Sequence, residues 1–175
     1  SENESDTPLV SFVENLGFKC FRGNEKNVLE RYIKASKFSK ADTIVRITGD
    51  CPMVDAKLVD KAIRIFLEKK PDYLSNTDPP TFPDGFDIEV FNQKTLIKAS
   101  HNQRSYKDSE HVTPFIRDSN QFVRENLKYH KDTSQIRLTV DETIDLEVIQ
   151  NIFSHFAPDI HFDLEKILKY KKNNL

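Results

Sequence analysis

The chain has 175 residues, 37% hydrophobic and 31% charged, with a formal net charge of −2. That length suits one domain with a proper core, residues 1–175, and that charge removes the basic surface nucleic acid would need. No apolar run approaches a membrane span and no signal peptide is visible, so a cytoplasmic protein is expected. Two cysteines, Cys20 and Cys51, are too few for a disulfide framework, and no Cys/His spacing suggests zinc.

Ser1 to Asp6 is polar. Thr7-Pro8 predicts a helix start, with Leu9, Phe12, Val13 and Leu16 as its apolar stripe and Gly17 as its end. Phe18 to Phe21 is expected to be a short strand, with Cys20 as a small core residue. Arg22-Gly23-Asn24 turns into a second helix whose core face is Val28, Leu29, Tyr32 and Ile33. Thr43 to Ile47 then reads as a buried strand, ending in Thr48-Gly49-Asp50-Cys51-Pro52. Gly49 is read as supplying a backbone conformation that a Cβ resists. Asp50 thus lies just beyond the carboxyl end of a central strand, where open α/β sheets bind ligands. It serves either as a cap for the turn or as a ligand for a hard cation such as Mg²⁺.

Asp55 is expected to cap a helix carrying Leu58, Val59, Ala62, Ile63, Phe66 and Leu67, closed by Pro71, and Tyr73-Leu74-Ser75 follows as a strand. Helix and strand alternate, which implies a mostly parallel sheet flanked by helices, an α/β fold. Beyond a Pro-rich loop, Phe86 to Phe91 alternates strictly. Asp87 and Glu89 fall on one face and Phe86, Ile88 and Val90 on the other: a half-buried strand with acids in water, or a binding edge below a lid. Ser109 to Pro114 resembles a helix start with Glu110 in the first turn, and His111 reads as a hydrogen-bonder or a catalyst. Phe122-Val123 is expected to form a short strand. Gln135 to Val140 is read as the last strand, ending in Asp141. Thr143 then caps a helix with Leu146, Ile149, Ile152, Phe153 and Phe156, ended by Pro158. Asp163 caps a final short helix, and Lys169, Lys171 and Lys172 read as a solvated tail. Asp50 and Asp141 both follow apolar strands. If those strands are neighbours, both acids face one cleft and suit Mg²⁺ held against a nucleotide triphosphate.

The motifs Phe21-Arg22-Gly23-Asn24, Val28 to Tyr32, Ile44 to Pro52, Tyr73 to Thr77, Pro83 to Phe91, Glu110 to Pro114 and Arg137 to Asp141, in that order, resemble one family. It is the cytidylyltransferases of spore-coat polysaccharide biosynthesis type, relatives of acylneuraminate cytidylyltransferases and CMP-KDO synthetases. The resemblance covers almost the whole chain. It implies a Rossmann-like nucleotide-diphospho-sugar transferase fold and attack by a sugar-acid hydroxyl on the α-phosphorus of CTP, with loss of pyrophosphate. It further implies Mg²⁺ on Asp50 and Asp141, and a nucleotide near Arg22, Arg31 and Gly49. Asp87, Glu89 and His111 fall in a region, residues 77–117, that shapes the sugar site and a homodimer contact. No counterpart of the family's opening loop, R-x-G-S-x-R-x-P-x-K, occurs here. The chain therefore reads as the family domain without its first strand-helix-strand unit, and turnover by residues 1–175 alone is not expected. The alternatives are a non-catalytic homologue that binds sugar or a partner, and a transferase of another nucleotide.

Overall fold

The computed structural model describes residues 1–102 and 105–174. Its helices are α1 (Thr7–Asn15), α2 (Val28–Ser39), α3 (Ala56–Lys69), α4 (Gln93–His101), α5 (Tyr106–His111), α6 (Pro114–Asp118), α7 (Thr143–Phe156) and α8 (Leu164–Asn174). Four strands, β1 (Thr43–Arg46), β2 (Tyr73–Ser75), β3 (Glu89–Asn92) and β4 (Arg124–Asn126), form one sheet in the order β1-β3-β2-β4. β2 and β4 are parallel, Tyr73 opposite Arg124 and Ser75 opposite Asn126. The fold is mixed α/β with a Rossmann-like arrangement of strands and flanking helices.

Two compact units are resolved. One comprises Ser1–Ile44 and Phe91–Val123, the other Val45–Val90 and the described residues from Arg124 onward. In the first, α2 packs against α4 and α5. Asn27 and Asn92 start α2 and α4 by accepting the N–H of Glu30 and Thr95, as cap residues do. The stripe of α1 forms as expected, yet Leu9, Phe12 and Leu16 are exposed. Gly17, at φ +84°, ends that helix in the left-handed region a glycine favours.

Phe18 to Phe21 is not a strand, and Cys20 is only half-buried: the segment has no ladder partner among the described residues. Glu110 and His111 close α5 rather than open a helix, because Ser105 and Asp108 form the capping box upstream and Pro114 opens α6. The strand expected at Phe122-Val123 lies two residues later, at β4, where Leu127 N–H continues the pairing to the Ser75 carbonyl at 2.7 Å.

The second unit carries a continuous core of Met53, Leu58, Ala62, Phe66, Leu74, Phe86, Ile88, Val90, Leu138, Ile149 and Ile167, among others. Asp55 caps α3 as expected, accepting from Lys57 N–H at 2.8 Å. Thr143 is the first helical residue of α7 rather than its cap; Glu142 takes that place, in a reciprocal capping box with Asp145. The closing lysines belong to α8, and Lys171 is half-buried, so they are no tail.

Two departures shape the site. Phe86 to Ile88 pairs with Asn76, whose side chain donates to the Phe86 carbonyl (2.7 Å) and accepts from Ile88 N–H (2.9 Å) while its backbone N–H donates to the Ile88 carbonyl (3.3 Å). And the stretch expected as a strand from Gln135 to Val140 forms none: its pairing is one isolated parallel bridge, Asp84 to Arg137, and a backbone bond from Val140 to Asp50. Gly85 explains how close that crossing is. At φ +105° it lies so near the 138–139 peptide that a Cβ would stand 2.6 Å from the Leu138 carbonyl.

Candidate active site

The site is assembled by backbone before any side chain. Asp84 N–H donates to the Ile136 carbonyl, Leu138 N–H to the Asp84 carbonyl, and Val140 N–H to the Asp50 carbonyl, at 2.9, 2.7 and 2.9 Å. The turn after β1, the Pro-Asp-Gly turn and the end of the 135–140 segment are thereby laced together. Asp50 and Asp141 lie on segments joined by the last of those bonds, although the segment before Asp141 is not a strand. Asp87 lies near Asp50: the charges of Asp84, Glu89 and Asp50 all act on its carboxyl.

The electrostatics are strongly negative. Burial, then the Asp84, Glu89 and Asp50 charges, push the Asp87 carboxyl up to about 6. Burial pushes the Cys51 thiol up to about 11, so it offers no thiolate. The donors available are therefore hard carboxylate oxygens, the kind that Mg²⁺ takes in ones and twos with water and phosphate completing its shell. Among the described residues, no three His, Cys, Asp or Glu side chains stand together ready to hold a metal by themselves.

Arg46 opposes the rise at Asp87, and a second cation, Arg137, is gripped by the acids around it. Arg137 bonds Asp141 at 2.5 Å, Asp145 at 3.1 and 3.3 Å, and Asp84 at 3.5 Å. Asp145 in turn accepts the N–H groups of Asp141 and Glu142, each at 3.0 Å. The guanidinium, then those N–H groups, hold the Asp145 carboxyl far below the usual carboxylate range. The sequence puts Arg137 near the cleft but inside an apolar run, and it does not single out Asp84 or Asp145 as its partners. The signals were present, a Pro-Asp-Gly turn and an acid three residues beyond a cap position, but neither pattern says which residue an acid will face.

The remaining expected residues fall elsewhere. Glu89 is not in water. It is 4% exposed, on β3 between β1 and β2, and takes Arg46 from one neighbour and the Tyr73 hydroxyl from the other, both at 2.5 Å. Gly49 has no left-handed φ and open space where a Cβ would be, so no backbone demand accounts for it. In the first unit, Arg22 is engaged by the Ser1 and Asn3 carbonyls (2.9 and 2.7 Å) and the Thr7 hydroxyl (3.4 Å). Arg31 bonds the Asn24 carbonyl at 3.1 Å, and exposed His111 lies 4.0 Å from Glu110.

A cavity of about 260 Å³ in the second unit, floored by Phe82 and Tyr129, takes none of these residues. Of its polar groups, Lys57 pairs with Asp163 and the Tyr129 hydroxyl donates to Glu165.

Asp87 yields a pH prediction. Its folded value, about 6, lies above the unpaired 3.8. The folded state therefore holds the proton more tightly, and stability falls as pH rises through the interval from about 4 to 6. Asp87→Asn is expected to be more stable than the parent at pH 7, with the difference shrinking toward pH 4. Denaturant midpoints at pH 4, 5, 6 and 7 measure it, and a constant difference would contradict the assignment.

The family model described as cytidylyltransferase matches residues 2–175. The chain belongs to the cytidylyltransferase family. It is 35% identical over 175 residues to the uncharacterized protein MJ1063 of Methanocaldococcus jannaschii, covering 98% of this chain and 70% of that one. It is 34% identical over 169 residues to the spore coat polysaccharide biosynthesis protein SpsF of Bacillus subtilis, covering 91% and 68%. A solved cytidylyltransferase from Leptospira borgpetersenii superposes with a TM-score of 0.96 at 30% identity, over 99% of this chain and 74% of that one. The chain is thus a cytidylyltransferase, an enzyme of CTP. No helix among the described residues of this family member is long and apolar enough to cross a membrane.

Proposed function

We propose that this cytidylyltransferase joins CMP to a hydroxyl of a sugar acid, releasing pyrophosphate, in cytoplasmic steps of surface polysaccharide or glycan biosynthesis. The observation that supports the reading is the Val140 N–H to Asp50 carbonyl bond, which joins the backbones of the two segments that carry Asp50 and Asp141. Asp50 and Asp141 are proposed to hold Mg²⁺, which when bound neutralises phosphate charge as the pyrophosphate leaves. Asp87, on the same cleft, is proposed to meet the sugar, with Glu89 behind it held rigid by Arg46 and Tyr73. His111 is a weaker candidate for the sugar, being exposed at the end of α5. For the nucleotide, Arg31 is the better arginine; Arg22 is already spent on residues 1–7. The kinship with a spore coat polysaccharide protein supports the polysaccharide setting.

The test is CTP-dependent pyrophosphate release by the full-length protein across a panel of sugar acids, with UTP and ATP as controls. Turnover with one sugar acid and CTP is expected. Release with neutral sugars only, or with UTP in preference to CTP, would overturn the substrate class. We further propose a homodimer formed around Phe82 to Phe91. Light scattering after size exclusion is expected to give twice the chain mass, and a monomer at high concentration would remove the proposal.

A further inference from the structure

The Arg137 guanidinium touches three carboxylates unequally. Two of its nitrogens, Nε and Nη2, reach Asp145 (3.3 and 3.1 Å), Nη1 reaches Asp84 (3.5 Å), and Nη2 alone reaches Asp141 (2.5 Å). Asp145 is locked in place independently by the N–H groups of Asp141 and Glu142. The guanidinium therefore keeps its seat on Asp145 and Asp84 whether or not Asp141 stays with it. Asp141 is differently placed: its side chain is 55% exposed, and one arginine nitrogen is its ion-pair partner.

We propose that Arg137 is a built-in counter-cation that occupies Asp141 and is displaced from it by a divalent ion. Asp141 moves from the guanidinium to the ion while Asp145 holds the guanidinium back. The proposal rests on the reading of Asp50 and Asp141 as ligands of a divalent ion. Its physical basis is competition at one carboxylate. The ion must release Asp141 from a charge-assisted bond and then sit beside a fixed positive charge, and both weaken its binding. Arg137 is thus a positioning residue that keeps the bare site weak for cations, so that the ion is retained only when phosphate oxygens add their ligation.

The probe is Mn²⁺, its binding followed by electron paramagnetic resonance on the full-length protein at fixed ionic strength without nucleotide. Arg137→Gln is expected to bind Mn²⁺ about three- to tenfold more tightly than the parent, the range a screened like charge a few ångströms away implies. Its melting temperature is expected to fall, since Asp84 and Asp145 lose their partner. A merely structural arginine would lower both. In an Asp141→Asn background the same substitution is expected to tighten Mn²⁺ binding by a smaller factor, since the like charge is removed but no competition for Asp141 is relieved. Unchanged or weaker binding by Arg137→Gln, or tightening just as large without Asp141, would overturn the proposal. Should Arg137→Gln fail to fold, a structure of the Mn²⁺-loaded parent decides: Asp141 still on Arg137 overturns the proposal, and Asp141 released with Arg137 still on Asp145 supports it. If Asp50→Asn and Asp141→Asn leave Mn²⁺ binding untouched, the ligand reading itself fails and this inference with it. If they abolish binding while Arg137→Gln changes nothing, only the counter-cation role is lost.

Discussion

Asp50→Asn and Asp141→Asn are each expected to lower pyrophosphate release about a hundredfold or more, with melting temperatures close to the parent's. The substitutions are nearly isosteric and neither carboxylate supports the core. Asp141 is exposed, and Asp50 is half-buried with the Cys51 thiol 3.6 Å from it. The backbone bond from Val140 to Asp50 needs no side chain and survives both changes. What is lost is charge placed where phosphate charge must be offset, and a single preorganised electrostatic contact of that kind is worth about two to three orders of magnitude in rate. The two acids are proposed to serve one ion, so the double variant is expected to be scarcely worse than either single one; residues acting as a unit are not additive. Near-parental turnover by either single variant at ordinary Mg²⁺ would remove that acid from the machinery.

The largest stability effect is expected inside the sheet. Glu89 lies on the interior strand β3 with its charge met by Arg46 and its other oxygen by the Tyr73 hydroxyl. Arg46→Met would leave a carboxylate in the core with no cation, and breaking a buried pair from one side costs about 3–5 kcal/mol. That is a large share of the roughly 5–15 kcal/mol that holds a domain folded. Tyr73→Phe is expected to cost less, about 1–3 kcal/mol, the penalty of one unsatisfied buried acceptor. Replacing both charges, Arg46→Met with Glu89→Leu, is expected to recover part of the loss, since no charge is left unpaired although the Tyr73 hydroxyl loses its Glu89 acceptor. Urea unfolding of the three variants measures this. A loss below about 1 kcal/mol for Arg46→Met would mean that Glu89 is not buried as described.

The sequence was most legible where one periodicity had one physical cause. The stripe of α3 and its Asp55 cap follow from spacing and from a carboxylate three residues ahead of a core leucine. Tyr73 to Ser75 is a strand in both readings, because a short apolar run against Pro71 has little else to become. Legibility failed where a side chain does the work of backbone. Asn76 replaces a strand partner for Phe86 to Ile88, and nothing in its spacing announces that. The alternation of Asp87 and Glu89 leaves water and a binding edge both open, since period two cannot tell an exposed face from one that a neighbouring strand covers. Asp50 and Asp141 could be paired because both end apolar runs. Arg137 sits in such a run too, and its three-carboxylate grip depends on Asp84, which is more than fifty residues away.

The lacing of Asp50 to Val140 closes a loop of about ninety residues, and closure of that size is entropically dear and slow. The α3–β2 region can find much of its structure from near neighbours, whereas this contact must wait until both ends of the loop are shaped. The acidic cleft is then among the last features to form as the chain folds. Partly folded chains carry the same aspartates scattered along a flexible polymer, with no concentrated negative field.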